Sequence, residues 1–150
     1  MKLNKKNEVE MLKKSVDDGD VRAIYNLGWC YLFGANVTKN PKKAIQYFKK
    51  GALLKDTKCM VALGTCYRDG DGVEQDLDKM VYWYKQGVLL DDFDCIYALA
   101  LCYDLGNGLS KDSAKAIEYM QKISKHDKRA RKYLKEKGVY VSKISSWIKG

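Results

Sequence analysis

Leu63-Gly64-Thr65-Cys66-Tyr67, followed by Gly70-Asp71-Gly72-Val73 and then by Asp76, decides the fold, because the chain writes this pattern three times. An offset of 36 residues aligns three segments without a gap, beginning near Asp20, Asp56 and Asp92. Under that offset Leu27, Leu63 and Leu99 coincide, as do Gly28, Gly64 and Ala100, then Cys30, Cys66 and Cys102, then Tyr31, Tyr67 and Tyr103. Further along come Gly34, Gly70 and Gly106, then Asn40, Asp76 and Asp112, then Ala44, Met80 and Ala116, then Tyr47, Trp83 and Tyr119.

Each segment reads as two helices. Ala23, Leu27, Cys30 and Tyr31 fall on one face of a first helix, and the other copies keep that spacing. The small residue at Gly28, Gly64 and Ala100 admits a second helix at close range. The turn after it supplies glycines for positive φ, with Asn36 standing in for the second one in the first copy. Asn40, Asp76 and Asp112 then sit where a helix needs a side-chain acceptor, and Pro41 follows at a first-turn position where no amide donor is missed. Ala44, Ile45, Tyr47, Phe48, Gly51 and Ala52 form the apolar stripe of the second helix.

The spacing therefore predicts an all-α protein, a right-handed α/α superhelix, or solenoid, of three helical hairpins over residues 20–55, 56–91 and 92–127. All 150 residues form a single domain. Residues 4–19 read as an N-terminal capping helix. Residues 128–150 read as C-terminal capping helices, with Gly138 as a stop and Ser142 capping a last helix that carries Ile144, Trp147 and Ile148.

Composition fits that plan and narrows the function classes. The chain is 46% apolar and 31% charged, with a single proline, so a continuous helical core is affordable and disorder is excluded. The lysine-rich start lacks the apolar run of a signal peptide or membrane helix, which places the protein in the cytoplasm as an expectation. Five cysteines form no Cys-x-x-Cys pair, and the stacked Cys30, Cys66 and Cys102 lie in repeats about 10 Å apart, against the ~2.3 Å of a Zn–S bond. No metal site and no cofactor is expected. His126 has no nucleophile in a recognisable motif and reads as a polar residue at a helix start, and Gly106-Asn107-Gly108 lacks the lysine of a phosphate loop.

Ala23-Ile24-Tyr25-Asn26-Leu27-Gly28, the Gly70-Asp71-Gly72-Val73 turn and the 36-residue period closely resemble the Sel-one-like repeat, a relative of the tetratricopeptide repeat. The resemblance covers residues 20–127 and implies an adaptor that assembles protein complexes. One branch of that family is secreted and cysteine-rich, with disulfides joining successive repeats. Cys59 and Cys95 match one half of those pairs, but Ala52 and Val88 hold the partner positions, so those disulfides cannot form. The departure also undercuts transfer of that branch's β-lactam binding.

By analogy with tetratricopeptide grooves, the concave surface is lined by first-helix residues turned away from the second helix. Those are Arg22, Tyr25, Trp29, Leu32 and Phe33, then Lys58, Val61, Thr65 and Arg68, then Asp94, Tyr97, Leu101 and Asp104. Unlike the core positions, they differ between copies. Tyr25, Trp29, Leu32 and Phe33 put interface-type anchors on one face, and the competing reading packs Tyr25 and Trp29 beneath the N-terminal helix. The leading reading is a non-enzymatic scaffold, without catalytic residues, that holds another protein or peptide in this groove.

The alternative is electrostatic. Net charge is +3 over residues 1–14, −2 over 15–110 and +8 over 111–150, so the surplus of +9 belongs to the C-terminal end. Lys128, Arg131, Lys132 and Lys135 share one helical face that would attract nucleic acid, an acidic membrane or an acidic protein. The plainer account is a solvated face that keeps the end of the stack in water.

Overall fold

The computed structural model describes residues 5–139, and the expected last helix around Ser142, Ile144, Trp147 and Ile148 lies outside them. Eight helices run in order: α1 (Lys5–Asp17), α2 (Val21–Phe33), α3 (Pro41–Leu53), α4 (Thr57–Asp69), α5 (Leu77–Val88), α6 (Phe93–Leu105), α7 (Ser113–Ile123) and α8 (Lys128–Glu136). Among the described residues there is no strand. Each helix packs on the next, with α2–α3, α4–α5 and α6–α7 as the closest pairs, and α4 also touches α6. The molecule is therefore a stack of three hairpins between α1 and α8.

Helix boundaries follow from capping. Asp20, Asp56, Asp92 and Asp127 cap α2, α4, α6 and α8, while Asn40, Asp76 and Asp112 cap α3, α5 and α7. The first helix of each hairpin ends on a left-handed glycine, Gly34, Gly70 or Gly106. His126 is not itself a cap: Asp127 takes that place, and the imidazole stacks on Phe93 with centroids 6.1 Å apart.

The second glycine of the turn has a stronger reason than its φ. A Cβ on Gly72 would lie 2.5 Å from the backbone oxygen of Pro41, and one on Gly108 would lie 2.7 Å from that of Leu77. Each turn thus rests directly on the start of the preceding repeat's second helix. Asn36, φ 60°, occupies the same place in the first repeat, where its side chain donates to Glu8 Oε2 at 3.0 Å.

The interior repeats as strictly as the turns. Gly28 faces the Phe48 ring and Gly64 the Tyr84 ring, each too close for any side chain at the glycine. Lys43, Lys79 and Lys115 lie over the rings of Tyr31, Tyr67 and Tyr103, at 4.5, 5.5 and 4.9 Å. Cys59 and Cys95 are fully buried, with their sulfurs in the space left by Gly51 and Gly87. In the third repeat both members change together: Ile123 stands at the glycine position and Ala130 at the cysteine position, both buried. All five cysteines are free thiols.

Candidate functional site

The first helices α2, α4 and α6, continued by α8, present one open surface. Its best-defined hollow, about 350 Å³, is walled by Val61, Thr65, Arg68, Tyr97, Leu101 and Arg129, with Met80 and Tyr84 beneath. Asp94, Ala98, Leu105 and Asn107 complete it. Six residues expected from the sequence therefore line one groove: Val61, Thr65 and Arg68 from α4, and Asp94, Tyr97 and Leu101 from α6.

Its charges are largely matched within the chain. Arg68 donates to both oxygens of Asp69, at 2.7 and 2.9 Å, which raises its basicity and turns the guanidinium along the wall. Arg129 bridges Asp127 and Asp94, the latter at 2.6 Å, with its guanidinium 4.6 Å from the Tyr97 ring centroid. These carboxylates hold Arg129 firmly protonated, and Arg129 in turn holds the Asp127 carboxyl below its usual range. Arg129 is not among the lining residues that the sequence predicts. A one-residue slip hides it, since Arg22, Lys58 and Asp94 follow at intervals of 36 and Arg129 comes 35 after Asp94.

The first repeat supplies the aromatic part. Phe33 is 69% exposed and stacks on Trp29, 5.1 Å between centroids and 11° between planes. Trp29 is half-buried against Phe48 and Tyr25, and its indole N–H is sealed from solvent without an acceptor. Tyr25 is half-buried too, tilted on Phe48, with the Lys58 ammonium 6.0 Å from its ring centroid. Arg22 and Lys58 are exposed; the Arg22 guanidinium comes only within 4.0 Å of Asp20.

Two expected lining residues are corrected. Leu32 is 5% exposed and belongs to the core, because it lies four residues after buried Gly28 and eight after buried Ile24. Asp104 is 9% exposed and closed over by the chain itself: Ser113 donates to it at 3.1 Å and Lys137 pairs with it at 2.9 Å, which lowers its pKa. Asp104 anchors the C-terminal cap to the third repeat rather than facing a partner.

The basic face is thinner than its sequence. Lys128, Arg131, Lys132 and Lys135 are all exposed. However, the Arg131 guanidinium donates to the Ser124 and Lys125 carbonyls, closing the end of α7, and Lys132 lies 3.9 Å from Glu136.

Helical hairpins stacked in register define an α/α solenoid. The Sel1 repeat model matches residues 21–56, 57–92 and 94–128, and the chain belongs to that family. A Sel1 repeat protein from Oxalobacter formigenes superposes with a TM-score of 0.81 at 30% identity, covering 89% of this chain and 55% of that one. The protective antigen c5321 of uropathogenic Escherichia coli, described as displaying this fold, gives 0.76 at 29% identity, over 81% of this chain and 26% of that one. Cysteine-rich protein B of Helicobacter pylori gives 0.67 at 26% identity, over 84% and 96%. The chain thus spans about half of the first relative and about a quarter of the second. No curated protein matches it. No described helix is long and apolar enough to cross a membrane.

Proposed function

We propose that this protein is a non-catalytic scaffold that holds an extended peptide or a protein segment along the α2–α4–α6–α8 surface. Repeats of this family generally mediate protein–protein contacts. The observation that carries the assignment to this surface is the groove itself: six side chains drawn from two repeats, none of them fully buried, line one hollow of about 350 Å³. Its apolar walls, Val61, Tyr97 and Leu101, suit an aliphatic or aromatic anchor, and exposed Arg22 and Lys58 favour acidic groups beside it. Five free thiols fit a reducing compartment, and a cytoplasmic setting is part of the proposal.

The test selects binding peptides from a displayed random library and maps them by amide chemical-shift changes. Changes should cluster on Val61, Thr65, Tyr97 and Leu101, and Phe33→Ala with Leu105→Ala should weaken binding while leaving the helical signal unchanged. Both side chains are exposed, whereas Trp29 is too deeply packed on Phe48 to replace cleanly. Shifts confined to the outer helices α3, α5 and α7 would refute the groove.

A further inference from the structure

A second surface lies along the edge that carries the α1–α2, α3–α4, α5–α6 and α7–α8 connections. The last three connections are tied side by side: Thr57 donates to Asp92 at 2.6 Å, Lys122 pairs with Asp91 at 2.9 Å, and Phe93 stacks on His126. Two of the connections open with leucine pairs. Leu53 and Leu89 are 81% and 76% exposed, and Leu54 and Leu90 are 53% and 42% exposed. Tyr82, also exposed, lies between them and shares a shallow apolar depression with Leu53, Lys55, Leu89 and Leu90. A continuous apolar strip of this kind on a protein surface marks an interface.

Charge along this edge is ordered. The first connection carries exposed Asp17 and Asp18, and the last carries exposed Lys125 and Lys128. Between them Lys55 and Asp91 occupy equivalent places, 36 residues apart, both with left-handed backbone, φ 62° and 53°. Their side chains leave the same point of the same turn. Read in one direction the edge is acid, leucines with lysine, leucines with aspartate, base.

A second copy turned by a half-rotation about an axis between the two leucine pairs reads in the opposite order. Leucines then meet leucines, Lys55 meets Asp91 of the other copy twice over, and the acidic connection meets the basic one. Asp91, already bonded to Lys122, keeps 77% of its side chain exposed and so has acceptor capacity left. A copy in the parallel orientation would set like charge on like, and an anionic bilayer would repel the acidic end. We infer that this chain forms an isologous two-fold dimer through this edge, the occupant being a second copy of itself. The dimer does not depend on the groove, which faces elsewhere.

Light scattering and sedimentation of the full chain at about 10 µM test it, a concentration at which a Kd of the order of 1 µM leaves most chains paired. The wild type should be a dimer. K55D and D91K should each weaken pairing at least tenfold, since each turns two attractive contacts into repulsive ones. Mixing the K55D and D91K chains should give a heterodimer, and K55D/D91K in one chain should restore the homodimer. Each substitution places a residue type that the chain itself carries at the equivalent turn; D91K also gives up the exposed Lys122 pair, and far-UV circular dichroism checks that both chains fold. A wild type that stays monomeric up to about 100 µM, whether or not it binds phosphatidylserine vesicles, overturns the inference. So does a dimer that neither charge reversal nor L53S/L89S weakens.

Discussion

Replacing Gly64 with alanine isolates the contact on which the hairpins depend. In an exposed helix the change would stabilise by about 1 kcal/mol. Here the new Cβ would lie 2.2 Å from Cε1, 2.7 Å from Cδ1 and 2.8 Å from Cζ of Tyr84, where ordinary contact begins at 3.4 Å. The ring is rigid and 3% exposed, so it cannot swing aside, and α5 has to back away by about 1 Å. An overlap this deep falls in the upper part of the usual overpacking cost, about 2–3 kcal/mol, which exceeds the propensity gain and leaves a net loss of about 1–2 kcal/mol. For a chain of this length that lowers Tm by about 3–8 °C. The third repeat supplies the rescue, since Ala100 and Met120 occupy the positions of Gly64 and Tyr84 and both are buried. Tyr84→Met alone should destabilise by opening space against Gly64, whereas G64A/Y84M should recover at least about 1 kcal/mol over the sum of the single changes. Thermal and urea melts of the four proteins measure this directly. A G64A protein as stable as the wild type, or strict additivity in the cycle, would refute the account of close helix approach.

The two turn glycines separate conformation from contact. G70A meets no atom closer than 3.7 Å and should cost only about 1 kcal/mol of left-handed strain, whereas G72A drives into the Pro41 carbonyl at 2.5 Å and should cost at least about 2 kcal/mol in a urea melt. Thiol labelling at pH 8 should find one cysteine that reacts faster than the rest in the folded protein: burial raises the pKa of all five, but Cys30 is half-buried and reachable, whereas Cys59, Cys66, Cys95 and Cys102 are buried, with Cys66 pushed up to about 12 and Cys102 to about 11. Four fast-reacting thiols would contradict the core. D127N keeps the cap of α8 but removes the charge paired with Arg129, and should cost about 1–2 kcal/mol at pH 7. The folded pKa of Asp127 is lowered from 3.8, so this stability is present above that pH and disappears as pH falls through the lower, folded value. Wild type and D127N should therefore converge in Tm at strongly acidic pH.

The hairpins were legible because their determinants are local and repeated. A cap, a small residue and a left-handed turn are each readable within a dozen residues, and three copies confirm the phase. The reason for Gly72 was not legible, since its neighbour Pro41 lies 31 residues earlier and is brought close only by stacking. Arg129 was missed because the period slips by one residue just where the cap begins. Leu32 was assigned to the groove from the column it shares with Arg68 and Asp104, yet its own apolar character carries it into the core. Within one column, equivalent backbone positions do not fix equivalent exposure: Leu32 is buried by its apolar packing and Asp104 by Ser113 and Lys137, whereas Arg68 stays exposed.

Repetition also explains how two surfaces coexist on so small a stack. Packing constrains the positions that face neighbouring helices, and there the copies agree or change in compensated pairs, as Gly87 with Cys95 gives way to Ile123 with Ala130. Positions outside that contact diverge freely. In the groove the divergence yields a varied lining of Val61, Thr65, Tyr97 and Leu101. Along the connections it runs in one direction, from Asp17 and Asp18 through the leucines to Lys125 and Lys128. A gradient along a stack is the pattern a two-fold axis can match with itself, because reversal exchanges its ends. The groove lining has no such order, and so suits a partner of different sequence.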